Sequence, residues 1–222
     1  MPGQAILLIM NDVLPERESE FCRWCREEQI PAMKAVPGVL DARMYRALEG
    51  APKYLTVYDL DNPGVLEQPE YPPLRGWGQD ASGMPKEMFS ACPSLTVGVY
   101  QGLLVLPRPE PTDLSAAKCL MLRVLEIDAE HQEEFQDWYN TEHVPNLVSV
   151  PGCVRGRRFG LKMDAQDNVG NPSAIVALYD VENPQVLKTE EWSRKVLTPW
   201  TLRLRRYYRG ILRNVYERIV PE

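Results

Sequence analysis

The residues best suited to acid–base chemistry lie close together in the second half of the chain. His143 is one of only two histidines and follows Tyr139 by one helical turn. An imidazole can take up and return a proton near neutral pH, and a phenol can donate a hydrogen bond to a substrate oxygen. Arg123 interrupts the apolar run Cys119–Ile127, where a charge should be paired or face a cavity. The three residues predict proton transfer with stabilisation of a developing anion.

Each of these residues also has a structural interpretation. A histidine near a helix end can bond a backbone carbonyl, and Tyr139 can belong to the core. Arg123 can pair with a local acid, either Glu126 or Asp180. Both interpretations stay open at this point.

Four neighbouring residues are candidates for substrate binding because they offer aromatic surface, an amide or a cation. They are Trp138, Asn140, Arg157 and Phe159. Trp138 and Arg157 have identical counterparts in the first half of the chain, Trp24 and Arg43, which also suits packing and a structural ion pair.

A metal or organic cofactor has little support. Cys22 and Cys25 have CxxC spacing, but they lie inside a predicted helix, whereas redox motifs of this kind open one. No other cysteine or histidine cluster has the spacing of a zinc site, and the GxGxxG, P-loop and GxSxG motifs are absent. We predict no metal and no cofactor, with haem bound through His143 as an alternative.

An internal repeat defines the elements that position these residues. Residues 21–45 align with residues 135–159 without gaps and with eight identities, among them the shared Val-Pro-Gly at 36–38 and 150–152. Further on, Tyr58-Asp59 and Asn62-Pro63 align with Tyr179-Asp180 and Asn183-Pro184. Near the ends we align Tyr100 with Tyr208. The repeat therefore covers nearly the whole chain.

The two copies differ where chemistry is expected. Tyr139, His143 and Arg123 of the second copy correspond to Cys25, Gln29 and Ile9 of the first. Side chains required only for packing would have less reason to diverge. We therefore expect the first copy to be a scaffold half and the second a working half.

Each copy has the element order β-α-β-β-α-β, which is the ferredoxin-like pattern. The first helix should be disturbed at Pro31 and at Pro145, and the last strand of the second copy is predicted at 204–211, with arginines alternating along one face. The fold class is α+β. Repeat 1 covers residues 1–106, a proline-rich linker covers 107–117, and repeat 2 covers 118–222. Because the strands are too apolar to leave one sheet face wet, we expect the two units to pack sheet to sheet.

The segment 135–147, which reads FQDWYNTEHVPNL and is followed by Val-Pro-Gly, resembles the EthD-like branch of the dimeric α/β-barrel superfamily. That resemblance implies paired ferredoxin-like units and a small-molecule enzyme, and in related proteins the position of His143 often faces the substrate pocket. We predict a cofactor-independent lyase or isomerase, a decarboxylase or cyclase included, acting on an aromatic or polyketide-like substrate. Alternatives are a cofactor-free monooxygenase and a non-catalytic binding or stress-response module of the same fold.

Composition limits the classes of molecule that we expect this protein to bind. The net charge of −6 and pI near 5.2 argue against a general nucleic-acid binder. No apolar run is long enough to span a membrane, and five cysteines without an export signal suggest reduced thiols in the cytoplasm. We expect a small aromatic ligand, no nucleic acid and no membrane, with a homodimer as an open option.

Overall fold

The computed structural model describes residues 5–71, 90–107 and 114–221. Most of the predicted linker, residues 108–113, lies outside the described residues. The chain divides into two compact units. Unit 1 comprises Met1–Gly102, Phe159–Ala174 and Arg218–Glu222, and unit 2 comprises Leu103–Arg158 and Ile175–Glu217.

Unit 1 is built on four strands, and the strand that opens it, buried over its first seven residues, has an inner position. Strand β1 pairs antiparallel with both β3 and β4, and β2 pairs with the other side of β3. The strands are β1 (Ala5–Asp12), β2 (Val39–Glu49), β3 (Tyr54–Leu60) and β4 (Ser94–Pro107), and the helices between β1 and β2 are α1 (Glu18–Trp24) and α2 (Ile30–Lys34).

Unit 2 repeats this arrangement. Strand β5 is central and pairs antiparallel with β7 and β8, while β6 neighbours β7. The strands are β5 (Cys119–Ile127), β6 (Cys153–Leu161), β7 (Ile175–Val181) and β8 (Tyr208–Val220). The helices are α3 (Gln132–Trp138), α4 (Val144–Val148), α5 (Glu190–Val196) and α6 (Pro199–Leu204). The predicted α+β class and ferredoxin-like element order are confirmed.

The repeat extends to details of the backbone. Gly38 and Gly152 have φ angles of +86° and +84°, a conformation that side-chain-bearing residues rarely adopt. A Cβ at either glycine would lie 2.6 Å from a methyl group of Val65 or of Val186, respectively. The shared Val-Pro-Gly is therefore kept because the turn needs a left-handed residue in close contact with the following loop.

The predicted Asn-Pro helix start is present in both units, although the helix that follows is short. Asn62 and Asn183 each accept a hydrogen bond from the backbone two residues on and open the 3₁₀ helices Pro63–Glu67 and Pro184–Lys188. In unit 2 the chain then continues into α5 and α6.

The prolines disturb the first helix by widening one turn rather than ending it. A π-helical turn, Cys25–Gln29 or Tyr139–His143, precedes Pro31 or Pro145, and the helix then continues as α2 or α4. Proline lacks an N–H, and its ring clashes with the carbonyl four residues earlier, so a wider turn removes both conflicts. Turns of this kind occur often at functional sites, and His143 ends the one in unit 2.

Two expectations about the C-terminal region are wrong. Leu204 belongs to α6 rather than to the last strand, because Thr198 caps a helix that has Pro199 in its first turn, and β8 runs Tyr208–Val220. The partner of Tyr100 is Tyr216, not Tyr208, because Tyr100 pairs with Ile6 in β1 and Tyr216 pairs with the corresponding Leu120 in β5. The copies differ in length before their last strands, so a single Tyr-x-Gly match could not fix the alignment.

Each unit has its own hydrophobic core. That of unit 1 includes Phe21, Trp24 and Tyr58, and that of unit 2 includes Phe135, Trp138 and Tyr179. Within the described residues, no helix is both long and apolar enough to cross a membrane.

Candidate active site

A cavity of about 430 Å³ opens within unit 2. Its wall is formed by residues from β5, the π-helical turn, β7, α5 and β8, and includes Arg123, His143 and Tyr208. Apolar and aromatic side chains such as Leu125 and Trp192 fill much of the remaining wall. A cavity of this size and character suits a small, largely apolar molecule.

His143 lies on the buried side of this cavity and is only 9% exposed. Its ring packs against Trp138, with centroids 4.4 Å apart, and meets Tyr139 edge to face at 5.1 Å. The Nδ1 atom is buried and has no hydrogen-bond partner among the described residues. The structure therefore shows no hydrogen bond from this atom to a backbone carbonyl.

The imidazole of His143 is neutral at physiological pH. Burial, assisted by the nearby charges of Arg123 and Arg158, lowers its pKa to about 3. Burial disfavours the charged form, and two guanidinium groups repel an imidazolium. A neutral imidazole in a cavity can accept a proton, which is the first requirement of a general base.

A hydrogen-bond network fixes the indole on which His143 packs. The Trp138 Nε1–H donates to the hydroxyl of Thr201 at 3.2 Å. The hydroxyl of Thr198 accepts from the backbone N–H of Thr201 and donates to Glu142, which lies in the same π-helical turn as His143. The indole against which His143 packs is therefore held by α6 as well as by its own helix.

Tyr139 lies behind the histidine rather than on the cavity wall. It is buried, and the guanidinium of Arg158 lies 4.1 Å from the centroid of its ring. Burial raises the pKa of Tyr139, and the charge of Arg158 and the hydroxyl of Tyr179 oppose that rise. Asn140 accepts a hydrogen bond from Arg158, so its side chain orients this guanidinium.

Arg123 lies on the cavity wall and is half-buried. Its Nη1 donates to the backbone carbonyl of Leu212 at 3.3 Å. The two acids considered as partners bind other arginines, because Glu126 pairs with Arg209 and Asp180 pairs with residues of β6. The alternative in which Arg123 faces a cavity is the one observed.

Three of the four candidate binding residues, Asn140, Arg157 and Phe159, are not among the residues that line the cavity. Arg157 is fully buried and pairs with Asp180 at 3.2 Å, as its counterpart Arg43 pairs with Asp59 in unit 1. Phe159 is fully buried and belongs to the residues grouped with unit 1. The expectation of a structural ion pair thus describes Arg157 better than substrate binding does, whereas Trp138 does line the cavity.

Sequence reasoning missed Arg158 and two cavity-lining arginines, Arg205 and Arg213. For Arg158 a signal existed, because the ungapped alignment pairs it with Met44, another position where the second copy gains a polar group. Arg213 was hidden by the incorrect alignment of the last strand. The described residues contain no cluster of three or more His, Cys, Asp or Glu side chains that could hold a metal.

No protein-family model and no curated protein matches this chain. Solved structures do. An anthrone oxidase-like protein is 14% identical with a TM-score of 0.66, covering 97% of this chain and 90% of its own. A proposed monooxygenase from Fusobacterium nucleatum is 10% identical with a TM-score of 0.60, covering 98% and 94%. A haem-binding protein from Thermus thermophilus is 12% identical with a TM-score of 0.53, covering 99% and 92%.

At such low identity these likenesses concern the fold alone. They confirm the predicted fold class, an α+β fold with ferredoxin-like units. The EthD-like branch stays a prediction. The three proteins have names that point to different chemistries, so the reaction has to be argued from the residues of this chain.

Proposed function

We propose that unit 2 is a cofactor-independent enzyme that moves a proton on a small aromatic or polyketide-like substrate, with His143 as the general base. The observation that carries the proposal is a neutral, buried imidazole on the wall of a 430 Å³ cavity that also contains Arg123. A substrate carbon or hydroxyl next to a carbonyl or phenol would give its proton to His143. The negative charge left on oxygen would be stabilised by Arg123.

The low pKa of His143 is compatible with this role because the proton comes from the substrate. Protonation from solvent adds a positive charge beside Arg123 and Arg158, and burial makes that costly. Proton transfer from a bound substrate creates an imidazolium and an anion together, so the net charge of the cavity does not change. The guanidinium of Arg123 then has the substrate anion as a partner, whereas protonation from solvent would add only a repelling positive charge.

Tyr139 acts in this scheme as a support for the base. Its ring meets that of His143 edge to face, and Arg158 holds the opposite side of the phenol. Trp138 contributes both the surface on which the imidazole packs and part of the cavity wall. A planar substrate would extend this aromatic wall.

The fate of the substrate anion distinguishes two reaction classes. Return of the proton elsewhere, or loss of a leaving group, makes the protein an isomerase or lyase, the class predicted from the sequence. Reaction of the anion with oxygen makes it a cofactor-free monooxygenase. The second class is favoured by the likeness to an anthrone oxidase-like protein and to a proposed monooxygenase. Both classes begin with the same proton transfer.

Haem, which one structural neighbour binds, does not fit the residues of this cavity. A histidine that ligates a metal almost always donates its other N–H to a carboxylate or carbonyl. The buried Nδ1 of His143 has no such acceptor among the described residues, and its ring is packed against Trp138 and Tyr139. Haem therefore has no role in the proposed mechanism.

Hydrogen–deuterium exchange under anaerobic conditions tests the shared first step. A panel of enolisable aromatic ketones and polyphenols is incubated with the protein in D₂O and followed by proton NMR. We expect at least one compound to exchange its acidic carbon-bound hydrogen for deuterium faster in the presence of the protein than in buffer alone. No catalysed exchange across the panel would favour the non-catalytic binding module. An oxygen electrode then separates the classes, since only a monooxygenase consumes oxygen with the same compound.

The neutral state of His143 also predicts a pH dependence of stability. The folded pKa of about 3 lies below the usual 6.5, so the unfolded chain binds this proton first as the pH falls. The free energy of unfolding should therefore decrease from about pH 6.5 towards pH 3, by about 2 kcal/mol between pH 7 and pH 5. Urea denaturation of the wild type and of His143→Gln at both pH values measures it.

Comparison with His143→Gln cancels the contribution of the other titrating groups, because the wild type and the variant share them. Gln occupies the corresponding position 29 in unit 1, where it is buried, so the helix accepts it. We expect the wild type to lose about 2 kcal/mol more than the variant on going to pH 5. Equal losses would mean that His143 is not held neutral by the fold.

A further inference from the structure

Two arginines face each other across neighbouring strands in the wall of the cavity. Arg123 in β5 is the direct register partner of Arg213 in β8, and both line the cavity. Side chains directly opposite in an antiparallel pair lie about 5 Å apart at Cβ, and like charges at that spacing are destabilising. Packing of the two strands alone would therefore not favour this pair.

The fold does not need arginine at these positions. The equivalent pair in unit 1 is Ile9 in β1 opposite Val97 in β4, in the same register. The same scaffold thus pairs the two strands with apolar side chains in unit 1. The replacement of two aliphatic side chains by two arginines implies that unit 2 binds an anionic group that unit 1 does not bind.

A third cation extends the same surface. Arg205, which follows α6, also lines the cavity and is exposed, as is Arg213, whereas Arg123 is half-buried. Among the described residues that line the cavity, none is an aspartate or glutamate. The lining of the cavity therefore includes three arginines and a neutral histidine and no acidic residue.

The cavity-lining residues differ in their exposure to solvent. His143 is buried at one side, while Arg205 and Arg213 lie where the wall meets solvent. Aromatic and aliphatic side chains, including Trp192 and Leu125, line the cavity as well. A matching ligand has an apolar ring system with an anionic group at its outer end.

We propose that the substrate is an aromatic acid whose carboxylate binds Arg213 and Arg205 at the opening while its acidic hydrogen faces His143. The inference rests on the proposed function for the identity of the reacting end, but the recognition of the anion is separate. Planar guanidinium groups suit carboxylates because each can donate two parallel hydrogen bonds. Arg123, deeper in the wall, is left to stabilise the oxygen that becomes negative during proton transfer.

Binding of two probes of similar shape tests this assignment. Isothermal titration of the wild type with 2-naphthoate and with 2-naphthamide compares a carboxylate with a neutral group on the same ring. We expect 2-naphthoate to bind about tenfold more tightly, and the difference to shrink at high salt. An equal or greater affinity for the amide would overturn the proposal.

The variant Arg205→Ala/Arg213→Val should remove this preference while leaving the affinity for 2-naphthamide within about twofold. Valine is the residue that unit 1 has at the equivalent position 97, so the strand pair tolerates it. Arg209→Ala is the matched control, because Arg209 is an exposed arginine of β8 outside the cavity lining, paired with Glu126. A preference that survives the double substitution, or that falls equally with Arg209→Ala, would contradict the assignment.

His143→Gln separates this inference from the proposed function. The variant should keep the preference for 2-naphthoate, because the imidazole is neutral and does not bind the carboxylate. Absence of proton exchange together with a retained preference would reject the catalytic role and leave the anion site intact. Proton exchange without any preference would reject the anion site alone.

Discussion

Replacing His143 by glutamine is expected to slow proton exchange on a substrate of this protein by roughly 10²- to 10⁴-fold, the usual contribution of a general base. Glutamine has nearly the same reach as histidine but cannot accept a proton at neutral pH. The buried Gln29 of unit 1 shows that the π-helical turn accommodates this side chain. The loss should therefore appear in the rate of exchange and not in the fraction of folded protein.

The matched control is Thr141→Ala, in the same π-helical turn. Thr141 is exposed, and its hydroxyl bonds the backbone carbonyl of Asp137. Both variants are compared with the wild type by anaerobic exchange in D₂O and by circular dichroism. We expect Thr141→Ala to keep most of the exchange rate. A His143→Gln variant that retains a third or more of the wild-type rate would rule out His143 as the base.

The duplication made most of the fold predictable. Aligned Trp, Pro and Gly residues located the helix, the disturbed turn and the strand that follows in both units. Gly152 with its positive φ and Asn183 at its helix start behave as their counterparts Gly38 and Asn62 do. What could not be predicted was the width of the turn before Pro145. A missing N–H and a steric clash require some distortion, but the sequence does not state which.

The candidate site was predictable only in part. Comparison of the copies pointed to His143 and Arg123, and both line the cavity. Tyr139 lies off the cavity wall because the π-helical turn Tyr139–His143 aligns His143 with Trp138, five residues earlier, and these two residues line the cavity. Arg213 escaped because its position depends on strand register, and the length difference before β8 concealed that register. Once the register is known, its pairing with Arg123 is among the more informative features of the cavity.

A buried ion cluster next to this site predicts the largest change in stability. Asp180 is fully buried and contacts two buried arginines, Arg155 at 2.9 Å and Arg157 at 3.2 Å. In unit 1, by contrast, a single arginine, Arg43, contacts two acidic residues, Asp59 and Asp41. Removing one acid therefore has different consequences in the two units.

Asp180→Asn should lower the free energy of unfolding by about 3–5 kcal/mol, because it leaves two buried guanidinium groups without their shared carboxylate. Asp59→Asn, the matched variant in unit 1, should cost less, since Arg43 keeps its contact with Asp41. Asparagine preserves side-chain volume, so the comparison isolates the charge from any cavity left behind. Urea denaturation of both variants at pH 7 measures the difference. Equal costs would mean that the surroundings, rather than the carboxylate, compensate the two arginines of unit 2.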